Sequence, residues 1–233
     1  MNPRNLPLPD ALAVAQAELR SRGWSIITDA GFSRGGAVDV DAVRRLAEYF
    51  GRPSDRDGGQ DVWPVRPRTT DPAATFSQRA GAALLHTDAA YRADPEPLFA
   101  LFCAQPAADG GLSRLLAAAD AVRDLDPAVA EQLRRPVWRW APPSVFGGSP
   151  DTARPVLGPD GGLRWRPDNL TVAADLAQTA AAFTAHVESH PCLVQLPLPA
   201  DTVLVCDNSR VLHGRTAFAD QRRLLLRVRL VTR

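Results

Sequence analysis

The sequence predicts a mainly β domain with flanking helices, a sandwich or barrel in place of a doubly wound parallel sheet. Three observations lead there. Short apolar and β-branched runs are separated by Gly- and Pro-rich turns along much of the chain, with helical spacing in only a few segments. No Gly-rich fingerprint follows an early strand, and Gly110-Gly111 and Gly147-Gly148 read as turns. At 233 residues the chain is sized for one core, so a single domain over 1–233 is expected.

The elements follow in order. Residues 9–21 make a first helix, with Leu12, Val14 and Leu19 as apolar positions and Gly23 as the stop. Trp24–Thr28 reads as a short strand, and a second helix opens at Val38–Asp41 and runs through Tyr49-Phe50. Arg, Asp, Gly, Pro and Thr crowd residues 52–80, which reads as a long functional rim loop. Strands are expected at Ala82–Asp88, Leu98–Ala104 and Ser113–Ala117, then a helix over 118–133 containing Pro127. Residues 136–170 are rich in Trp, Pro and Gly, with β pieces near Val137–Trp140 and Leu163–Arg166. Leu176, Ala180, Phe183 and Val187 give Thr171–Glu188 the spacing of a helix. Strands near Cys192–Leu196, Thr202–Asp207 and Leu224–Val231 complete the chain.

Composition excludes some classes. Lys+Arg 27 against Asp+Glu 26 leaves a formal charge of +1, which gives no case for nucleic acid. No segment has the apolar length to cross a bilayer, and Met1–Pro7 lacks the apolar run of a signal peptide. Cys103, Cys192 and Cys206 follow no metal or redox spacing and read as buried free thiols, which suits a reducing, cytoplasmic location. Trp24 and Trp138 read as packing residues, and His186 and His190 as helix-end or exposed groups. Oligomeric state is not legible.

The chemistry concentrates around His86 and Asp88, one residue apart in Leu84-Leu85-His86-Thr87-Asp88. On an extended strand, residues i and i+2 leave the same face, so an imidazole and a carboxylate would aim at one point with Thr87 turned away. His213, in Val211-Leu212-His213, is a third candidate ligand. Two imidazoles and one carboxylate form the facial triad of non-heme Fe(II) oxygenases. A lone HxD has little specificity. Downstream, Arg223, Leu225, Arg227 and Arg229 share one strand face, and Leu224, Leu226 and Val228 the other. Either this is an ordinary half-exposed strand, or an arginine forks onto the carboxylate of a small acid in the interior.

Taken together, these residues resemble the Fe(II)/2-oxoglutarate-dependent dioxygenases of the taurine dioxygenase/TfdA and clavaminate synthase-like group. The resemblance rests on Gly23-Trp24-Ser25-Ile26-Ile27, Tyr49-Phe50-Gly51-Arg52-Pro53, Leu85-His86-Thr87-Asp88, Cys103–Ser113, Asp207–Phe218 and Arg222–Arg227. It implies a double-stranded β-helix (jelly-roll, cupin-like) core, with iron on His86, Asp88 and His213. It also implies Arg223 on the distal carboxylate of 2-oxoglutarate, Arg227 as a helper, and Ser113 where relatives often carry a cosubstrate-binding threonine. The related halogenases have Ala or Gly at the position of Asp88, so hydroxylation is implied over chlorination.

The implied activity is that of an oxidoreductase. It would hydroxylate an unactivated C–H of a free amino acid or small natural-product intermediate, using O2 and converting 2-oxoglutarate to succinate and CO2. Substrate-facing candidates are Arg166, Arg215, Phe218 and Tyr91, with Gln60, Asp61, Arg92 and Arg164 as further loop residues. Arg166 reads first as a surface arginine beside a packed Trp165, and Phe218 reads equally as a core residue. Two alternatives stand beside hydroxylation: a desaturase, cyclase or epimerase on the same site, and a metal-free jelly-roll binding protein.

Overall fold

The computed structural model describes residues 8–35, 37–56, 59–68, 76–142 and 152–232. Helix α1 (Leu8–Arg22) leads into strand β1 (Trp24–Ile27) through Gly23, whose φ of 85° suits glycine. The pair β2 (Ser33–Arg34) and β3 (Ala37–Val38) precedes α2 (Val40–Glu48), which is capped by Asp39 accepting the Ala42 N–H at 2.9 Å. The chain continues through β4 (Arg52–Pro53), β5 (Trp63–Val65), β6 (Ala83–His86), β7 (Leu98–Gln105) and β8 (Ser113–Ala117). Helices α3 (Ala118–Arg123) and α4 (Pro127–Arg134) follow, then β9 (Arg139–Trp140), β10 (Leu170–Thr171) and α5 (Ala177–Glu188). The last strands are β11 (Val194–Leu196), β12 (Thr202–Asp207), β13 (Val211–Arg215) and β14 (Leu224–Val231).

Two antiparallel sheets organise these elements. The larger runs β1-β12-β7-β14-β4, with β5 also paired to β14, and the smaller runs β11-β8-β13-β6. Three apolar layers explain the stacking. Ala15, Leu19, Val43 and Leu46 of α1 and α2 pack on Phe102, Val205, Val228 and Leu230 from the outer face of the large sheet. Phe99, Cys103, Leu204 and Leu225 of that sheet meet Leu115 and Val211 of the small one. Leu85, Leu116 and Leu212, on the small sheet's other face, pack against Leu133, Phe183 and Val187 of α4 and α5 and against Trp138 and Trp165. The alternation of side chains along β7, β13 and β14 assigns each residue to its layer.

The closed jelly-roll core is therefore not what the chain forms. Among the described residues no sheet closes into a barrel, and the fold is mixed α/β, with several antiparallel sheets clad by helices. Closure needs long edge strands that pair with each other. Here the edges β4, β5, β6 and β11 are two to four residues long, and α1 packs beside β1 and α5 beside β6.

Other expectations are corrected locally. Residues 52–80 are not one loop, since β4 and β5 join the large sheet; residues 57–58 and 69–75 lie outside the described residues. The helix over 118–133 is two helices, because Pro127 takes the first turn of α4 under an Asp126 cap. The helix begins at Ala177, not Thr171, because Leu170-Thr171 pairs with Arg139-Trp140 and Ala174–Leu176 forms a single 3-10 turn. Cys103 and Cys206 are buried, whereas Cys192 is exposed. His190 is buried, its Nδ1 accepting the Cys192 N–H at 3.1 Å. The readings for Met1–Pro7 and Gly147-Gly148 lie outside the described residues.

Candidate metal centre

Strands β6 and β13 are neighbours, and their register sets His86 opposite His213. Leu85 and Leu212 face the helical layer, so the alternating imidazoles point between the sheets. The rings lie 4.3 Å apart between centroids, and Phe99 of β7 covers His213 at 4.4 Å. The register slips just beyond this pair. Gly214 occupies the slip, where a Cβ would stand 2.6 Å from the Ala83 carbonyl oxygen.

Asp88 reaches the same point from a turn. The extended strand ends at His86, and Ala89 follows with a φ of 59°. Thr87 does turn away: its N–H donates to the Trp165 carbonyl at 2.6 Å, and its Oγ1 accepts the Trp165 N–H at 3.0 Å. Asp88 Oδ1 is 3.9 Å from both His86 Nε2 and His213 Nε2. One ligand atom from each of the three residues lies within 4.8 Å of the others. Two metal–ligand bonds of about 2 Å each span such separations.

Protonation fits the same purpose. His86 Nδ1 donates to the Leu84 carbonyl at 2.8 Å, because a carbonyl can only accept, and this leaves the Nε2 lone pair facing the centre. Burial pushes the His213 imidazole down to about 4 and His86 well below its usual value, the latter helped by nearby His213 and Arg166. For Asp88, burial alone would raise the carboxyl, but Arg227 and Arg166, joined by the two imidazoles once acid protonates them, outweigh it and hold it well below the usual range. Neutral imidazoles and an ionised carboxylate are the forms that bind a cation. The expected consequence in metal-free protein is loss of stability as pH falls from about 6.5 toward 4. There the unfolded chain binds histidine protons that the folded chain refuses, up to about 1.4 kcal/mol per pH unit for each imidazole. Urea denaturation at several pH values checks this, and a flat profile across that window contradicts it.

Three arginines surround the carboxylate. Arg227 Nη1 and Arg229 Nε each lie 3.4 Å from Asp88 Oδ2, on the side away from the imidazoles. Arg166 Nη1 is 3.7 Å from Oδ1, and its Nε and Nη2 fork onto Asp168 at 3.0 and 3.3 Å. Arg166, Arg223, Arg227 and Arg229 are all buried, so neither a surface Arg166 nor a half-exposed β14 describes the chain.

The remaining candidates fall into two groups. Ser113, Arg215, Phe218 and Arg223 gather at one end of the sheets. Ser113 is buried on β8 opposite Arg215, and the Arg215 and Arg223 guanidinium carbons lie 5.0 and 4.8 Å from the Phe218 ring centre. Arg215 donates to the carbonyls of Ser77, Arg79 and Gly81, which ties that segment to β13. Among the described residues, no carboxylate pairs with Arg215 or Arg223. Elsewhere, Tyr91 packs half-buried against the helical layer. Arg164 caps the carbonyls of Ala90, Arg92 and Ala93, Asp61 is paired with Arg44 at 2.7 Å, and Gln60 is exposed.

Sequence reasoning missed Asn208, read only as a turn residue. Its Oδ1 accepts the Asp88 N–H at 2.7 Å, and its Nδ2 donates to the carbonyls of Asp88 and Glu96 at 3.0 Å each. It also left Arg229 without a role, although the shared face with Arg227 was a visible signal. The ion pair Arg56–Glu96, at 2.7 Å and almost buried, had no sequence signal at all.

A buried two-histidine, one-carboxylate centre between two sheets defines a class of mononuclear non-heme metal enzymes. The chain belongs to the taurine catabolism dioxygenase TauD, TfdA family, whose model matches residues 3–229. Family and triad together make it an Fe(II)/2-oxoglutarate-dependent oxygenase. No curated protein matches the chain. Among solved structures it is similar to asparagine oxygenase in complex with Fe(II), 2S,3S-3-hydroxyasparagine and succinate, with a TM-score of 0.79 and 21% identity over 97% of this chain and 79% of that one. It is also similar to the non-heme iron oxygenase OrfP in complex with Fe and alpha-ketoglutaric acid, with a TM-score of 0.75 and 17% identity over 97% of this chain and 83% of that one. At these identities the likeness is one of fold. Among the described residues no helix is long and apolar enough to cross a membrane.

Proposed function

We propose that the protein hydroxylates an unactivated C–H bond of a free amino acid or small natural-product intermediate, coupled to conversion of 2-oxoglutarate and O2 to succinate and CO2. The convergence of His86, Asp88 and His213 on one buried point carries this reading. In it, Nε2 of both histidines and Oδ1 of Asp88 hold the iron. The donor set fits: both imidazoles are held neutral by burial, and Asp88 Oδ2 is buried with no hydrogen bond while its ion-pair partners stand at 3.4 Å. Bound iron supplies the redox chemistry that joins decarboxylation of the keto acid to attack on the substrate.

The protein's own part is placement. Arg223 takes the distal carboxylate of 2-oxoglutarate, supported by its burial, its lack of an acidic partner and the Ser113 hydroxyl on the neighbouring strand. Arg227 neutralises charge between the cosubstrate and Asp88. The Arg215 Nη1 and Nη2 donors are taken by backbone carbonyls, while its Nε is buried without a hydrogen bond, so its role in this reading is to hold residues 77–81 over that end and to share Phe218 with Arg223. Arg166 and Tyr91 are offered toward substrate, and Arg166 is the better supported because it lies beside Asp88. An amino-acid substrate is favoured by the fold likeness to asparagine oxygenase and by the cationic surroundings of the centre, which suit a carboxylate. A screen of free amino acids, read by succinate release and product mass, tests the reading. A gain of one oxygen is expected. Loss of two hydrogens would assign desaturation or ring closure instead, and no succinate with any substrate would contradict it.

A further inference from the structure

Asn208 joins parts of the chain that must stay in register for the metal centre to exist. It sits in the turn between β12 and β13, five residues before His213, and its own N–H donates to the Pro97 carbonyl at 2.7 Å. Its side chain holds both backbone polar groups of Asp88 and the carbonyl of Glu96, so both amide N–H donors and one of the two oxygen lone pairs are used. The residue is 3% exposed, so water cannot readily replace these bonds. Neighbouring contacts close the frame. Asp207 Oδ1 accepts the N–H groups of Ser209 and Arg210, fixing the turn that carries Asn208. Glu96 pairs with Arg56 and accepts from Ser54, fixing the loop that Asn208 grips.

We infer that Asn208 is a positioning residue, holding the Asp88 carboxylate at the height of the His86 and His213 imidazoles. The inference rests on the metal assignment above. Asp88 follows the end of β6, so no ladder hydrogen bond of that strand holds its backbone. On one side Thr87 anchors the turn to Trp165; on the other Asn208 anchors it to the His213 turn. Without the amide, the Asp88 N–H and C=O would be buried without partners, and the turn would rotate to find water. Groups that orient metal ligands typically change metal affinity by about 10–100-fold when lost.

The test compares wild type, Asn208→Ala and Asn208→Asp by anaerobic Fe(II) titration, with Co(II) absorption as a second probe, alongside thermal unfolding of each metal-free protein. Asn208→Asp keeps the acceptor for the Asp88 N–H but sets an oxygen against two carbonyls, so it should lose affinity as Ala does. The expected result is a 10–100-fold rise in the metal dissociation constant in folded protein, and more 2-oxoglutarate consumed per product. Unchanged affinity in either folded variant, with only a lower melting temperature, would overturn the inference and assign Asn208 a structural role. Should neither variant fold, hydrogen exchange of the wild type decides: protection of the Asp88 amide comparable to that of β13 supports the clamp, and loop-like exchange overturns it. A wild type that binds neither metal would instead defeat the metal assignment.

Discussion

Replacing Asp88 by Ala is expected to reduce substrate-dependent succinate formation to the level of the metal-free protein, and His86→Ala to do the same. Asp88 supplies the only carboxylate among the three converging ligands. Its oxygens are divided between duties: Oδ1 faces both imidazoles, while Oδ2 faces Arg227 and Arg229. Alanine removes the metal bond and also breaks the buried ion pairs of Asp88 with Arg227 and Arg229, so Asp88→Ala should unfold more readily than His86→Ala. Breaking a buried ion pair by removing one partner typically costs about 3–5 kcal/mol, less where the other partner keeps further contacts. Succinate assays with folded, side-chain-verified variants check this. Full turnover in either one would remove that residue from the iron.

The second large effect is expected at Arg223. Arg223→Met preserves much of the side-chain volume over Phe218 and deletes the charge. Hydrogen bonds to charged groups contribute roughly 1.5–3 kcal/mol, so the KM for 2-oxoglutarate should rise about 10- to 150-fold. The maximal rate at saturating 2-oxoglutarate should change far less, because the contact proposed for Arg223 is with the carboxylate farther from the reacting carbonyl. Arg222→Met, beside it but exposed and paired with Asp220, should leave both parameters near wild type. A KM unchanged in Arg223→Met would move the cosubstrate elsewhere, with Arg215 the next buried guanidinium to test.

Much of the centre was legible because the ligands announce themselves through strand chemistry. His213 sits in the run Val211–Arg215, which forms strand β13, and β8, β12 and β14 match the expected strand limits. Arg227 and Arg229 were visible as a face, but only packing showed that the face is interior. What was not legible depends on contacts across long sequence separations. Asn208 lies 120 residues from Asp88, and nothing in Asp207-Asn208-Ser209 distinguishes a surface turn from a clamp. Arg215 was read as a substrate candidate from its place near a strand end, and its backbone partners Ser77, Arg79 and Gly81 lie in a segment with no periodicity to reveal them. The jelly roll failed for a related reason: strand propensity locates strands, yet whether their edges meet is settled by lengths of two to four residues and by the helices beside them.

Anaerobic titration with Fe(II) and 2-oxoglutarate, followed in the visible region, tests the central claim most directly. Wild type should develop a weak charge-transfer band that saturates with both components present, and Asp88→Ala should develop none. Folded wild-type protein that shows no band at saturating metal and keto acid would contradict an iron centre built from His86, Asp88 and His213.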